Sequence, residues 1–308
     1  MRRVLMSLCA VVAATAVATT GCAGGDGAGR TPKEPGPRPR ALTWQQEVRV
    51  GDAEQRLTAR CMKRHGFTYW EDRRLTLEES RPVRYVQDDV AWARAYGYGS
   101  RIEAENEKTR ASNPIGTYRQ NLTPSRRAAF DLALDGGDDV RMLTAPLPGG
   151  SGEIRKRLGG CTEEAEQKLY GDPAEWFRTS KVATGLSALY GEDLMKDRRL
   201  TTALGAWSRC MTKAGLPYDD PRAAREAVRA NTARLGEKRA DEAFATERKT
   251  AVADATCARE TSLRAVASAR ETYYEDRLRD RFGKDLDTYR TLAQQAYDRA
   301  VRIVPERD

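Results

Sequence analysis

A ten-residue stretch occurs twice in the chain, as RCMKRHGFTY at residues 60–69 and as RCMTKAGLPY at residues 209–218. Arg, Cys, Met, Gly and Tyr coincide without a gap, and an apolar residue follows each Gly. Before and within the second copy, apolar residues recur at helical spacing: Leu200, Leu204, Trp207 and Met211. Because Gly readily adopts the left-handed conformation that ends helices, each copy predicts a helix that stops at its Gly, Gly66 or Gly215.

The cysteines predict two disulfides. Of six cysteines, four lie in the two copies or downstream of them: Cys61, Cys161, Cys210 and Cys257. Four cysteines allow three pairings, and equivalent copies should pair alike, which favours Cys61–Cys161 and Cys210–Cys257. Crossed pairings and free buried thiols are the alternatives. A structural zinc site is disfavoured because such sites use closely spaced cysteine pairs.

The first residues have the features of an export signal. Two arginines, Arg2 and Arg3, precede an apolar run over residues 4–18, which is too short to span a bilayer stably. The run ends in Gly21 and Cys22, which resembles the bacterial lipoprotein signal that is cut before a lipid-bearing Cys. We therefore expect residues 1–21 to be a signal peptide and Cys22 to carry the lipid, palmitate included. An ordinary secretory signal with an incidental Cys22 is the alternative.

The segment behind Cys22 predicts a tether. Residues 22–42 are rich in Gly, Pro and Arg and show no apolar period, so they cannot bury a core. We expect this segment to hold the domain at the extracytoplasmic face of the cell membrane. Its arginines could contact anionic lipid headgroups, or they could simply be solvated.

Residues 43–308 predict a mostly α-helical fold with little or no β-structure. It is divided into two unequal pseudo-repeat halves, residues 43–190 and 191–308, each with one disulfide. Helices are expected from Thr43 to Arg64, after Asp89, from Thr123 to Leu134 and after Asp220, with a long helix carrying Cys257 on to Arg281. Weak extended character is seen at residues 67–70 and 83–86, and a loop is expected at 145–152. A near-heptad stripe predicts core packing for Phe282, Leu286, Tyr289, Ala293, Ala296, Ala300 and Val304.

The sequence carries no recognisable catalytic motif. It lacks a Gly-x-Ser-x-Gly elbow and a phosphate-binding P-loop, and its single histidine, His65, is expected to be a helix-end residue. Adjacent carboxylates occur four times and are expected to be solvated or to cap helices: Glu78-Glu79, Asp88-Asp89, Asp138-Asp139 and Asp219-Asp220. We therefore predict no catalytic, cofactor-binding or metal-binding residue. The formal net charge of +8 is mild and spread along the chain, so a nucleic-acid partner is not expected.

The repeated helix end resembles one in a group of secreted lipoproteins from high-GC Gram-positive bacteria, the actinobacteria. That group also carries a Thr-Glu-Arg-x-x-Ala-Val-Ala-Asp-Ala-x-Cys segment, which is matched here by TERKTAVADATC at residues 246–257. The likeness covers roughly residues 45–285. The resemblance implies a fold and an extracytoplasmic location. It does not indicate an activity.

These features lead to three hypotheses of function. The first is a lipid-anchored, non-enzymatic envelope protein that binds a partner protein or another envelope component, and is held to the membrane through Cys22. The second is a small-solute-binding lipoprotein, which a pocket between the two halves would support. The third is a cell-wall hydrolase that uses paired carboxylates in a pocket.

Overall fold

The structure, a computed structural model, describes residues 38–72, 75–150 and 152–305. Within these residues the chain forms thirteen α-helices and one antiparallel pair of strands, with 3-10 turns at Leu186–Leu189 and Glu237–Arg239. The elements in chain order are α1 (Trp44–Arg64), α2 (Val90–Tyr96), α3 (Ser100–Ala111), α4 (Ile115–Asn121), α5 (Pro124–Asp135), β1 (Arg141–Pro146), β2 (Glu153–Leu158), α6 (Gly160–Tyr170), α7 (Pro173–Gly185), α8 (Gly191–Lys196), α9 (Arg198–Lys213), α10 (Pro221–Leu235), α11 (Ala240–Glu260), α12 (Leu263–Arg277) and α13 (Arg279–Ala300). The predicted mostly α fold is confirmed.

Helix α1 begins where its sequence predicts. Thr43 and Gln46 form a reciprocal capping box, in which each side chain accepts a hydrogen bond from the other residue's backbone N–H. Its apolar residues Val50, Ala53 and Leu57 recur at helical spacing and are buried. The side chain of Arg49 turns to the other end of the chain and donates to the carbonyl oxygen of Val304 at 3.0 and 3.2 Å. The first helix is thereby joined to the residues that follow α13.

The two copies of the repeated stretch end their helices in the same way. In the first, Gly66 has a φ of 75°, its N–H donates to the carbonyl of Lys63, and the N–H of Phe67 donates to the carbonyl of Met62, both at 3.0 Å. These are the two hydrogen bonds of a Schellman cap. The second copy repeats both bonds at 3.0 Å around a glycine with a φ of 76°: Gly215 to Thr212 and Leu216 to Met211. The predicted helix ends are confirmed.

Both predicted disulfides are present. Cys61 bonds Cys161 with a Cα–Cα distance of 5.5 Å, and Cys210 bonds Cys257 with a Cα–Cα distance of 5.6 Å. Each links a helix that ends in the repeated stretch to one later helix, α1 to α6 and α9 to α11. The pairing inferred from the equivalence of the copies is therefore correct, and the crossed pairings are wrong.

Separate apolar clusters surround the two disulfide-linked helix pairs. One packs α9, α11 and α12 around Trp207, while another packs α1, α6 and α13. The stripe on α13 is core, as expected: Phe282, Leu286, Ala293, Ala296, Ala300 and Val304 are buried, and Tyr289 stacks on Trp176 at 5.1 Å. From Pro39 onward the chain forms one compact unit. The division into pseudo-repeat halves at residue 190 stays a prediction.

Two expectations about local structure are wrong, those of extended stretches and of one long helix, while the expected loop lies mostly in the turn of a hairpin. The weakly extended stretches at residues 67–70 and 83–86 form no strand, since no described partner strand lies beside them. The chain instead has a hairpin, in which β1 pairs with β2 from Arg141 opposite Leu158 to Pro146 opposite Glu153, and the expected loop at 145–152 is largely its turn. The expected long helix through Cys257 is interrupted at Ser262, which has a φ of 53°, and again at Leu278.

Candidate ligand-binding cleft

The turn between α2 and α3 is built over a buried carboxylate. Glu247 of α11 is 1% exposed and accepts hydrogen bonds from the backbone N–H of Tyr98 at 2.7 Å and of Ser100 at 3.2 Å. The hydroxyl of Ser100 also donates to Glu247. At Gly97, φ is 64° and a Cβ would lie 2.7 Å from an oxygen of Glu247, so this position has no room for a side chain. The three donors satisfy the buried carboxylate and fix the turn onto α11.

A second buried carboxylate lies two helical turns further along α11. Asp254 is 0% exposed and accepts from the Tyr98 hydroxyl at 3.0 Å and from the indole N–H of Trp207 at 3.0 Å. Burial raises the pKa of Asp254 to about 6, although the nearby charge of Arg225 and the two hydrogen bonds act in the opposite direction. Asp254 thus ties the turn before α3 to both α9 and α11.

Arg225 of α10 covers this network from the side. Its guanidinium lies 5.2 Å from the ring centre of Tyr98, within cation–π range. One terminal nitrogen donates to the carbonyls of Arg84 at 2.6 Å and Tyr85 at 3.0 Å. Burial also raises the pKa of Tyr85 to about 12. The segment before α2, the α2–α3 turn and α10 therefore meet around Arg225.

These contacts form the floor of a cleft of about 610 Å³, a volume typical of small-molecule sites. One wall is α3, from Ser100 to Arg110, and the opposite wall is α10, from Arg225 to Ala233. Apolar side chains face the cleft from both walls and from the floor: Val83, Trp92, Ile102 and Val228. Helix α3 belongs to the predicted N-terminal half and α10 to the predicted C-terminal half, so the cleft lies between them.

The charged groups around the cleft differ in whether they are neutralised. Arg81 is ion-paired with Asp89 at 2.6 Å, and Glu247 is satisfied by its three donors. Within the described ranges no ion pair involves Arg110 or Arg229, and both side chains are exposed. Two further acidic residues line the cleft: Glu103 is exposed, and half-buried Glu79 accepts a hydrogen bond from the backbone N–H of Thr76. The rim therefore presents two arginines whose charge no described carboxylate neutralises.

Buried Glu166 and half-buried Glu54 form another pair of carboxylates, which lies away from the cleft. Lys156 of β2 donates to Glu166, which is 7% exposed, and the second oxygen of Glu166 has no hydrogen-bond partner among the described residues. Burial and the charge of Glu166 raise the pKa of Glu54, and Lys156 counteracts this. The packing of α1, α6 and β2 therefore contains a polar cluster in which two acids share one lysine.

The residues singled out from the sequence do not gather at the cleft. Cys22 lies outside the described residues. His65 is the exposed C-cap of α1, as expected. Its ring nitrogens lie close to the sulfurs of Cys61 and Cys161 in a geometry that could hold a metal. Both sulfurs are already joined in the disulfide, so neither is a thiolate that could bind one.

Several of the adjacent carboxylates have structural roles, as expected. Asp89 caps α2 and Asp220 caps α10. Asp88 pairs with Arg264 at 2.5 Å, and Glu79 accepts from the backbone N–H of Thr76 at 2.9 Å. These contacts account for both residues of the Asp88-Asp89 pair and for one residue each of the Glu78-Glu79 and Asp219-Asp220 pairs.

The residues that form the cleft were not identified from the sequence. Glu247 and Asp254 both lie in the TERKTAVADATC segment, seven residues apart, which places them on one face of a helix. An acidic pair with this spacing in an otherwise Ala-rich helix face was an available signal. The contribution of Arg110, Arg225 and Arg229 had none, because their helices are joined only in the tertiary structure.

In the described ranges no helix is both long enough and apolar enough to cross a membrane. No protein-family model matches the chain, and no match was found among curated proteins or among solved structures.

Proposed function

We propose that the protein is a lipid-anchored, extracytoplasmic and non-enzymatic binding protein, and that it takes up a small solute of the envelope in the cleft between α3 and α10. One observation carries this proposal. The cleft, of about 610 Å³, lies between the two predicted halves, which is the arrangement expected of a solute-binding lipoprotein. Its apolar side chains can supply contact area, and its unneutralised arginines can orient a ligand.

Other features support the proposed address. The Gly21–Cys22 pair follows an apolar run, as in lipoprotein signals. Two disulfides in one chain are typical of proteins that fold in an oxidising compartment. The resemblance to actinobacterial lipoproteins agrees with this address. Binding of a partner protein stays a prediction, because no described surface favours it over the cleft.

The proposal is tested by native purification followed by mass spectrometry. Ile102→Trp places a large ring on the wall of the cleft, whereas Leu132→Trp makes the same change on α5 at a side chain that is 62% exposed. We expect a small molecule to accompany the wild type and Leu132→Trp, and to be lost from Ile102→Trp. A molecule that all three proteins retain equally, or a preparation that contains only a protein partner, would contradict the proposal.

Fractionation of the same cells tests whether the protein is attached to the membrane. Wild-type protein should sediment with membranes, and Cys22→Ser should not, since that change removes the predicted lipid site. A wild-type protein recovered in the soluble fraction would contradict the lipid anchor, and would leave the binding result to be judged separately.

A further inference from the structure

The chemistry of the cleft also restricts what it can bind. Part of its lining is apolar: Val83, which is 39% exposed, lies there beside Trp92. Ile102 on α3 and buried Val228 on α10 extend the apolar surface to both walls. A fully polar ligand would leave this surface in contact with water or with unsatisfied polar groups. The body of the ligand should therefore be a hydrocarbon chain or an aromatic ring.

The rim requires the opposite chemistry. Arg110 closes the α3 wall, Arg229 stands on the α10 wall, and both guanidinium groups are exposed. Guanidinium groups bind carboxylate and phosphate oxygens through charge-assisted hydrogen bonds. Glu103 opposes an anion from the same rim, but Glu247 is occupied beneath the turn and Arg81 is already neutralised by Asp89. With half-buried Glu79 and Arg225 included, four arginines line the cleft against three glutamates, and the exposed charges are two arginines and one carboxylate.

We propose that the cleft binds an amphiphilic anion, a molecule with one apolar chain or ring and one carboxylate or phosphate group. This inference rests on the proposed function and specifies its ligand. The apolar part lies against Val83, Ile102 and Val228, and the acidic group lies between Arg110 and Arg229. A fatty acid and an alkyl phosphate share this chemistry.

Titration of the full chain carrying Cys22→Ser tests the inference without detergent. The probes are octanoate, octyl phosphate, octanol and inorganic phosphate, each used below its micelle-forming concentration where it has one. We expect octanoate or octyl phosphate to bind with one-to-one stoichiometry, and octanol to bind about tenfold more weakly. Inorganic phosphate should not saturate the protein. Preference between octanoate and octyl phosphate identifies the acidic group.

Variants connect the binding to these side chains. Arg110→Ala and Arg229→Ala should each weaken octanoate binding about tenfold, and Glu103→Gln should tighten it. Arg234→Ala is the matched control, since Arg234 lies on the same helix and donates only to Asn231, outside the cleft. Circular dichroism melting curves identify any variant that fails to fold. If the arginine variants do not fold, the gain of affinity expected for Glu103→Gln still tests the inference.

The outcomes separate this inference from the proposed function. Equal binding of octanol and octanoate would overturn the anionic class while leaving the cleft as a binding site. A neutral solute retained by the wild type and lost from Ile102→Trp would do the same. Absence of binding by every probe, together with no molecule retained on native purification, would overturn both.

Discussion

The two copies of the repeated stretch have the same helix cap but differ in the residues that pack against them. In the first copy both cysteines are buried, and Phe67 packs edge-on against Phe130 with ring centres 5.3 Å apart. In the second copy Cys257 is buried, but Cys210 is half-exposed and Leu216 stands in the place of Phe67. The helix caps are nevertheless the same to within 1° in φ at the glycine. The same local sequence therefore sets the helix end, whereas the surroundings set how deeply the disulfide is buried.

A second difference concerns the residue three positions before the later cysteine of each pair, which lies at the end of β2 in the first pair and within α11 in the second. Three residues before its cysteine, the second copy has buried Asp254 bonded to Trp207, where the first copy has buried Leu158. The position equivalent to Trp207 is Thr58, whose hydroxyl donates to the carbonyl of Glu54. The polar network under the cleft thus belongs to the second copy.

The largest expected effect comes from removing one disulfide at a time. Cys61→Ala with Cys161→Ala opens a loop of 100 residues, and Cys210→Ala with Cys257→Ala opens one of 47 residues. Loop entropy gives a cost of about 5 kcal/mol for the first and about 4 kcal/mol for the second. The fully buried first pair also leaves a cavity. Urea denaturation should therefore show a greater loss of unfolding free energy for the first double variant, and a greater loss for the second would contradict the comparison.

One titratable group that the second copy has and the first lacks should make stability depend on pH. The folded-state pKa of Asp254 is raised from 3.8 to about 6, so its protonated form is favoured by folding. Protonated Asp254 therefore stabilises the folded state below pH 4. This stabilisation is lost as the pH rises through 6, and the free energy of unfolding falls by about 3 kcal/mol at most. Asp254→Asn keeps partners for Trp207 and Tyr98 and cannot ionise. Relative to the wild type, this variant should gain free energy of unfolding between pH 4 and pH 7.

Leu158→Val is the matched control for that measurement, because it changes the equivalent position of the first copy without a titratable group. Its difference from the wild type should be independent of pH. If the difference in unfolding free energy between Asp254→Asn and the wild type were also independent of pH, Asp254 would not be the group whose ionisation lowers stability.

The smallest expected effect should be equal in the two copies. Gly66→Ala and Gly215→Ala introduce a Cβ where nothing lies within 4 Å, so each substitution is opposed only by the positive φ. We expect each to cost about 1 kcal/mol in unfolding free energy. Gly97→Ala is the contrasting variant, since its Cβ would meet Glu247 at 2.7 Å and the cost should be larger. Unequal effects of the first two would show that the caps differ after all.

Local signals explain which parts of the fold could be predicted. The helix expected over residues 43–64, the helix starts at Asp89 and Asp220 and both glycine stops depend on residues close in sequence, and all are confirmed. The disulfide pairing followed from the repetition of these signals. The hairpin was missed because its strands, RMLTAP and EIRKRL, are largely charged or exposed and flank a Gly/Pro-rich turn. The break at Ser262 has neither Gly nor Pro at its position.

The cleft shows where sequence reasoning stops. Its walls come from α3 and α10, which are far apart in the chain, and the side chains that join them are satisfied by backbone groups. In the sequence, for example, Arg225 cannot be distinguished from a surface arginine. Its hydrogen bonds to the carbonyls of Arg84 and Tyr85 are seen only in the structure. Such contacts leave no period or spacing in the sequence.

The first disulfide also determines how the molecule carries tension. In a chain held by the segment before α1, a pull enters α1 and reaches Cys61, where the covalent link passes it directly to Cys161. The residues between them, including all of α3, are bypassed. The Cys61–Cys161 bond therefore prevents a pull on that segment from extending the loop that contains the α3 wall of the cleft.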